Sequence, residues 1–508
     1  MTLRARGPLT EAILARDQAR TTDLFFQMVR RQGASLGEAL GEVTAAEAPF
    51  VQVPSHVNVR DGQITLVNND HTILGLRTAA HLAPFLAEPY RLLPLLQAVW
   101  YVPAGLDIWN QLLGKYPGRY ATMKGMNVPP PSYGPVQWHA EQEPIVQEGS
   151  IEEQLHEHMI ATMSGDVRRS YGLFLGLAGN PAARAALRDH LLFLGLIDLQ
   201  DTIIGRKARN TGHKALRARA VADLADIIGW ESAEGVFYIG VPDMAVGPLY
   251  YSLYDAACVT VTNDLPDAGK RLAETNVTPL TGAEVDALVD LLMGGDAASV
   301  WSQVTTHLRD GKALRSLGEA LQIGAAELIL RTTVPRQFTD AQHAFDYCNV
   351  ANYWLRSTAS PYQARILYLM ASFINDAARA NKLFASVREQ ECAGFDLSGR
   401  APDALLRELD EAILAFDVPR TTAVASAYLA SGADRTAYQQ TVALAACKFQ
   451  DDPHNQKITH STFEEYGLNT TPQRDRLLLA PVRLLAGWPK MPGERDCYAR
   501  FTREWINN

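Results

Sequence analysis

Residues 190–230 read HLLFLGLIDLQDTIIGRKARNTGHKALRARAVADLADIIGW, and the fold turns on how that run is divided. His190, Leu194, Ile197, Asp201 and Ile204 follow the spacing of one helical face. Asn210-Thr211-Gly212 interrupts the run, which predicts two long helices with His213 opening the second. A carboxylate among leucines and isoleucines needs a partner, because an isolated buried charge is costly. Arg206, His213 or a metal ion are the three partners open to Asp201. His190 reads as structural, whereas Asp201 and His213 read as the wall of a pocket.

Working outward, almost everything after Ser150 has helical periodicity. Ser150 with Glu153 forms a capping box, and Thr281 with Glu284 and Thr339 with Gln342 suggest two more starts. Asn180-Pro181, Asn69-Asp70 and Asp452-Pro453 predict helix starts ahead of His190, His71 and His454. Residues 9–32 read as one amphipathic helix. HVNVRDGQITLV alternates around Asp61-Gly62, which predicts one short β-hairpin near residues 56–67. The expectation is an all-α, irregular multi-helix array or bundle carrying that hairpin. It divides into N-terminal helices with the hairpin (1–114), a Pro/Gly-rich loop or lid (115–149) and a helical array (150–508), the first and last sharing one core.

Hydrophobic residues at 47% and charged residues at 20% fit a globular chain, and a net charge of -9 argues against a nucleic-acid partner. The basic stripe Arg206, Lys207, Arg209, Lys214, Arg217 and Arg219 reads as a solvated face, with an anion or acidic-partner site as the alternative. Five scattered cysteines without a C-x-x-C pair encode neither a zinc knuckle nor a dithiol, and suggest reduced thiols in the cytoplasm. No run is apolar enough to span a bilayer, so no membrane association is expected.

Walker, dinucleotide, zincin and nucleophile-elbow motifs are all absent. His156-Glu157-His158 is no zincin, because residue 160 is Ile, and the E-x-x-H pair Glu153 and His156 is excused by the capping box. What remains is a set of histidines at helix starts or in apolar turns: His71, His190, His213, His343 and His454. His454, Lys457 and Ser461 share one face, where a lysine beside a histidine can bind an anionic oxygen or act as an acid; His460 pairs naturally with Glu464. Surface decoration is the plain reading of His454 and Lys457, and a satisfied core histidine that of His343.

Four runs go further: GHKALRARAVADLADIIGW (212–230), FTDAQHAFDYCNVANYWLR (338–356), LYLMASFINDAARANK (367–382) and FQDDPHNQKITHSTFEEY (449–466). They resemble a bacterial all-helical family often joined to a Rieske-type iron–sulfur domain and distantly similar to questin oxidase-like proteins. The resemblance covers most of residues 60–470. It implies an oxidoreductase, with oxygen-dependent chemistry on an aromatic or polyketide-like small molecule. The positions in the matching runs are His213, His343, Asp452, His454 and Lys457, with His71 a looser match. A Rieske cluster needs two C-x-H segments and the chain has neither, so electrons have to come from an external donor, the substrate or another cofactor.

Three readings stand. The first is a metal-dependent oxidoreductase with non-haem iron on His71, Asp201, His213, His343 and His454, and with Lys457 and His454 as catalytic residues. The second is a cofactor-independent acid/base enzyme built on the same histidines. The third is a HEAT-like scaffold, in which the histidines are scattered.

Overall fold

The computed structural model describes residues 7–51, 58–60, 63–65, 71–106, 142–200, 202–204, 207–245, 252–381, 394–449, 454–488 and 495–506. Among them the chain is an all-α array around one contiguous apolar core running from Leu9 to Trp505. Strands Asn58–Arg60 and Gln63–Thr65 pair antiparallel, and the turn residues Asp61-Gly62 expected to direct them lie outside the described residues. Most of the 115–149 segment also lies outside them; where it returns, the Ile145 amide donates to Gly172 O at 2.8 Å.

Two helical expectations need correction. Residues 9–32 form two helices, Pro8–Leu14 and Gln18–Arg30, because Arg16 turns to a positive φ of 61° and Asp17 caps the second at Arg20 N. In the opening run the first helix, Arg184–Ile197, ends earlier than expected. Thr202–Ile204 and Lys207–Arg209 then pair as antiparallel strands. Thr, Ile and Ile in succession are stiff at χ1 and suit a strand better than a helix. Asp201 and Arg206 lie outside the described residues.

Starts shift for local reasons as well. The helix carrying His190 begins at Arg184, since the Asn180 side chain accepts from Ala182 N and holds a turn first. The helix of His343 begins at Phe338 after a 3-10 turn at Pro335–Gln337, with no side-chain cap from Thr339. The boxes Ser150/Glu153 and Thr281/Glu284 form as expected.

Four helices position the site: His71–Leu82, His213–Ile228, Phe338–Ser357 and His454–Leu468. Each packs on the next, and the fourth closes on the first. Gly212, at φ 65°, makes the turn into the His213 helix, and a Cβ there would stand 3.0 Å from Tyr347. Gly195 lets the preceding helix approach the Lys214 carbonyl, which a Cβ would meet at 2.7 Å.

Candidate active site at the N-terminal ends of four helices

His71, His213 and His454 are each the first residue of their helix, and His343 is in the second turn of its own. The four rings form a closed ring in the order in which the helices pack. Centroids are 5.7 Å apart for His71–His213, 4.9 Å for His213–His343, 5.8 Å for His343–His454 and 5.2 Å for His454–His71. Sequence spacing predicted each histidine; only packing brings them together. The scattering expected of a scaffold is not what the chain shows.

Geometry fixes part of the chemistry. His343 Nδ1 lies 2.7 Å from the Thr339 carbonyl, which can only accept, so Nδ1 carries the proton and Nε2 presents a lone pair. Burial, then Lys457 and the neighbouring histidines, hold His343 well below the usual imidazole range, and it is neutral at pH 7. His213 Nε2 stands 3.0 Å from His343 Nε2. Without a metal the His213 N–H donates across that gap. Two nitrogens held by one metal at roughly 2.1 Å lie about 3 Å apart when the angle between them is near 90°, so the same pair also fits adjacent ligands. The Thr339 contact orients the His343 ring in the way ligating histidines are commonly oriented. Among the described residues, no group of three or more His, Cys, Asp or Glu is disposed to hold a metal ion as the side chains stand. Of the four rings, the His213–His343 pair has nitrogens at ligand spacing, with the rings of His71 and His454 beside it.

The reading of His454 and Lys457 as surface groups is overturned, since both are buried. Lys457 Nζ faces Asp346 Oδ2 at 3.3 Å, an ion pair without hydrogen-bond alignment. The polar side-chain atoms of Gln342, Asn455, Asp346 and Lys457 lack hydrogen-bond partners in the interior, and all four residues adjoin or lie one turn from a ring histidine. Buried polar atoms are nearly always satisfied, so such a concentration marks a place for water or a ligand. Trp488 stacks on His454 at 5.4 Å and 18°, giving the site an aromatic wall.

Other expectations sort themselves. His190 is structural, 3.1 Å from His158 Nδ1 in a buried pair that Ser170 extends. The solvated basic face is wrong for its second half. Lys214, Arg217 and Arg219 are buried against Asp198, Asp243 and the Asp223–Glu464 carboxylates. Glu464 does not bond His460, because its oxygens are taken by Arg219 and Asn349. Cys258, Cys348, Cys447 and Cys497 are free thiols, the last three buried. Asp452 lies outside the described residues.

Sequence reasoning missed Glu47, which is fully buried and accepts from Thr72 Oγ1, next to His71, at 2.8 Å. Burial pushes its carboxyl up to about 8 against the opposing Thr72 bond. The run TAAEAP offers no sign of this beyond a lone acid among small residues. No family model, curated protein or solved structure matches the chain. Among the described residues no helix is long and apolar enough to cross a membrane.

Proposed function

We propose that the chain is a metal-dependent oxidoreductase, iron preferred, acting on a small organic substrate of the aromatic or polyketide kind. The observation that carries this reading is the closed ring of four imidazoles contributed by four helix N-terminal segments. Neutral imidazole suits iron, zinc and copper, and the resemblance noted above points among these to iron. A bound iron would supply oxygen activation or polarise a substrate oxygen.

The chain's own groups have separate tasks. His213 and His343 present the nitrogen pair that would hold the metal, and Thr339 fixes the His343 ring. Converging helix N-termini favour negative charge at the ring. Asp346 holds the Lys457 ammonium within reach of the site, where it serves as the proton donor to a substrate oxygen, with His454 as its neighbour on the same helix. The Trp488–His454 stack offers a flat apolar face to a planar ring. Electrons come from the substrate or an external donor.

Metal analysis of protein purified without chelator is the test. About one iron per chain is expected, with loss in His213→Ala and His343→Ala while the helical circular dichroism stays intact. One observation favours a second reading: 3.0 Å between His213 and His343 is also an ordinary hydrogen bond. Absence of stoichiometric metal, with activity indifferent to chelation, would move the assignment to a cofactor-independent acid/base enzyme.

A further inference from the structure

The same four helices meet a second time, about 9–15 Å further along at 1.5 Å per residue. There Asp223 Oδ2 accepts from Arg77 Nε at 2.9 Å and from Arg219 Nε at 2.7 Å, while Oδ1 accepts from Arg188 Nη2 at 3.3 Å. Glu464 Oε1 accepts from Arg219 Nη2 and Oε2 from Asn349 Nδ2, both at 2.8 Å. The His81 ring stands 3.6 Å from Asp223 Oδ2 and 5.3 Å, centroid to centroid, from His460. Arg219 Cζ also lies over Tyr353, 3.3 Å from the ring centre.

An account of donors and acceptors leaves the arginines with donors to spare, beside two imidazole nitrogens that can donate in the matching tautomer. Every oxygen of the two carboxylates is engaged. Arg77 Nη2, Arg219 Nη1, His460 Nδ1 and His81 Nε2 are buried atoms with no hydrogen-bond partner. Arg77, Arg219 and His460 are each more than nine-tenths buried. Guanidinium groups have no acceptor function, so they cannot satisfy one another. Three guanidiniums, those of Arg77, Arg188 and Arg219, face the buried carboxylate of Asp223 and the partly buried one of Glu464, and the remaining counter-ion, Asp226, is half-exposed at the rim. The rim itself is open, with His81 and Arg188 partly accessible.

The geometry points to a binding site for one small oxyanion, a phosphate or an organic carboxylate, received by Arg77 Nη2, Arg219 Nη1, His460 and His81. An oxyanion supplies acceptor oxygens and no competing donors, and it matches the planar fork of arginine. The site is separate from the histidine ring and does not rest on the oxidoreductase reading.

Titration of the full, chelator-treated chain by calorimetry tests it, with inorganic phosphate and benzoate as probes and chloride at matched ionic strength as the control. One saturable site is expected for phosphate or for benzoate. Preference for phosphate identifies an inorganic oxyanion, and preference for benzoate the carboxylate of an organic molecule. His460→Leu, which breaks no ion pair, and Arg77→Lys, which keeps the charge but loses the fork, should each weaken binding at least about tenfold. If Arg77→Lys does not fold, His460→Leu decides alone. No saturable binding above the chloride control, or binding unchanged in His460→Leu, overturns the proposal. The assay needs neither metal nor turnover, so it succeeds or fails apart from the metal analysis.

Discussion

One bundle of four helices carries two polar centres of opposite construction. At the N-terminal ends the groups are imidazoles, with His343 neutral, and the surrounding amide, carboxylate and ammonium atoms lack hydrogen-bond partners. Further along, the groups are permanently charged. Burial alone would raise Asp223, but Arg219 and Arg77 override it and hold its carboxyl down to about 2. Glu464 is likewise held well below the usual carboxylate range by Arg219 and Arg77 against burial. The ionic centre saturates its two carboxylates from within, ties the helices together and keeps arginine donors to spare. The imidazole ring is uncharged at His343 and is set beside polar atoms that lack hydrogen-bond partners. Burial of polar groups is thus not one signal: a saturated carboxylate ties elements together, and buried polar atoms without partners mark a place for a guest.

Four measurements bear on this contrast. The largest effect should come from Asp223→Ala, which strands Arg77 and Arg219 in the interior and should destabilise the fold by about 3–5 kcal/mol in denaturant titrations. A smaller loss than that for His343→Ala would break the contrast.

Next is Glu47→Gln. A buried acid raised to about 8 contributes stability fully present below about 4.5 and lost as pH rises through about 8. The Gln variant should therefore be the more stable protein at pH 8, by up to about 4 kcal/mol, and gain nothing at pH 4. Melting curves at the two pH values check this.

Acidification should separate the two centres. His343 is depressed, so its share of stability is present above about 6.5 and is lost as pH falls below that value. The Asp223 share is present above about 3.8 and is lost as pH falls towards about 2. Stability against pH should decline in two limbs, the upper one reduced in His343→Gln and the lower one in Asp223→Asn. A single limb in both variants would mean that the centres do not act separately.

The smallest stability change belongs to His213→Ala, about 1 kcal/mol, because its removal leaves no stranded charge. On the proposed function this variant nonetheless loses its metal, so stability and metal content should part company. Denaturant titration and metal analysis of the same preparation measure both.

Legibility in the sequence followed the range of the interaction. Capping boxes at Ser150 and Thr281 act over three residues and are readable as written. The histidines at 71, 213 and 454 were readable as helix-start residues for the same reason. The ladder at 202–209 was not, because the periodicity from His190 to Ile204 masked a β-branched run. Lys214, Arg217 and Arg219 read as surface in the sequence, since charged side chains are seldom buried unless paired, and their partners Asp198, Asp243 and Glu464 stand 16, 26 and 245 residues away.

By itself, then, the sequence determined that the chain is helical, where many helices begin, and that several of them begin with a histidine. Those properties are local, set by hydrogen bonds and side-chain spacing within a turn or two. Tertiary structure alone decided that four such helices run side by side in one direction, so that their first turns gather imidazoles and their later turns gather arginines and acids. That choice belongs to packing between residues hundreds of positions apart, where shape and charge compensation act and local spacing carries no information.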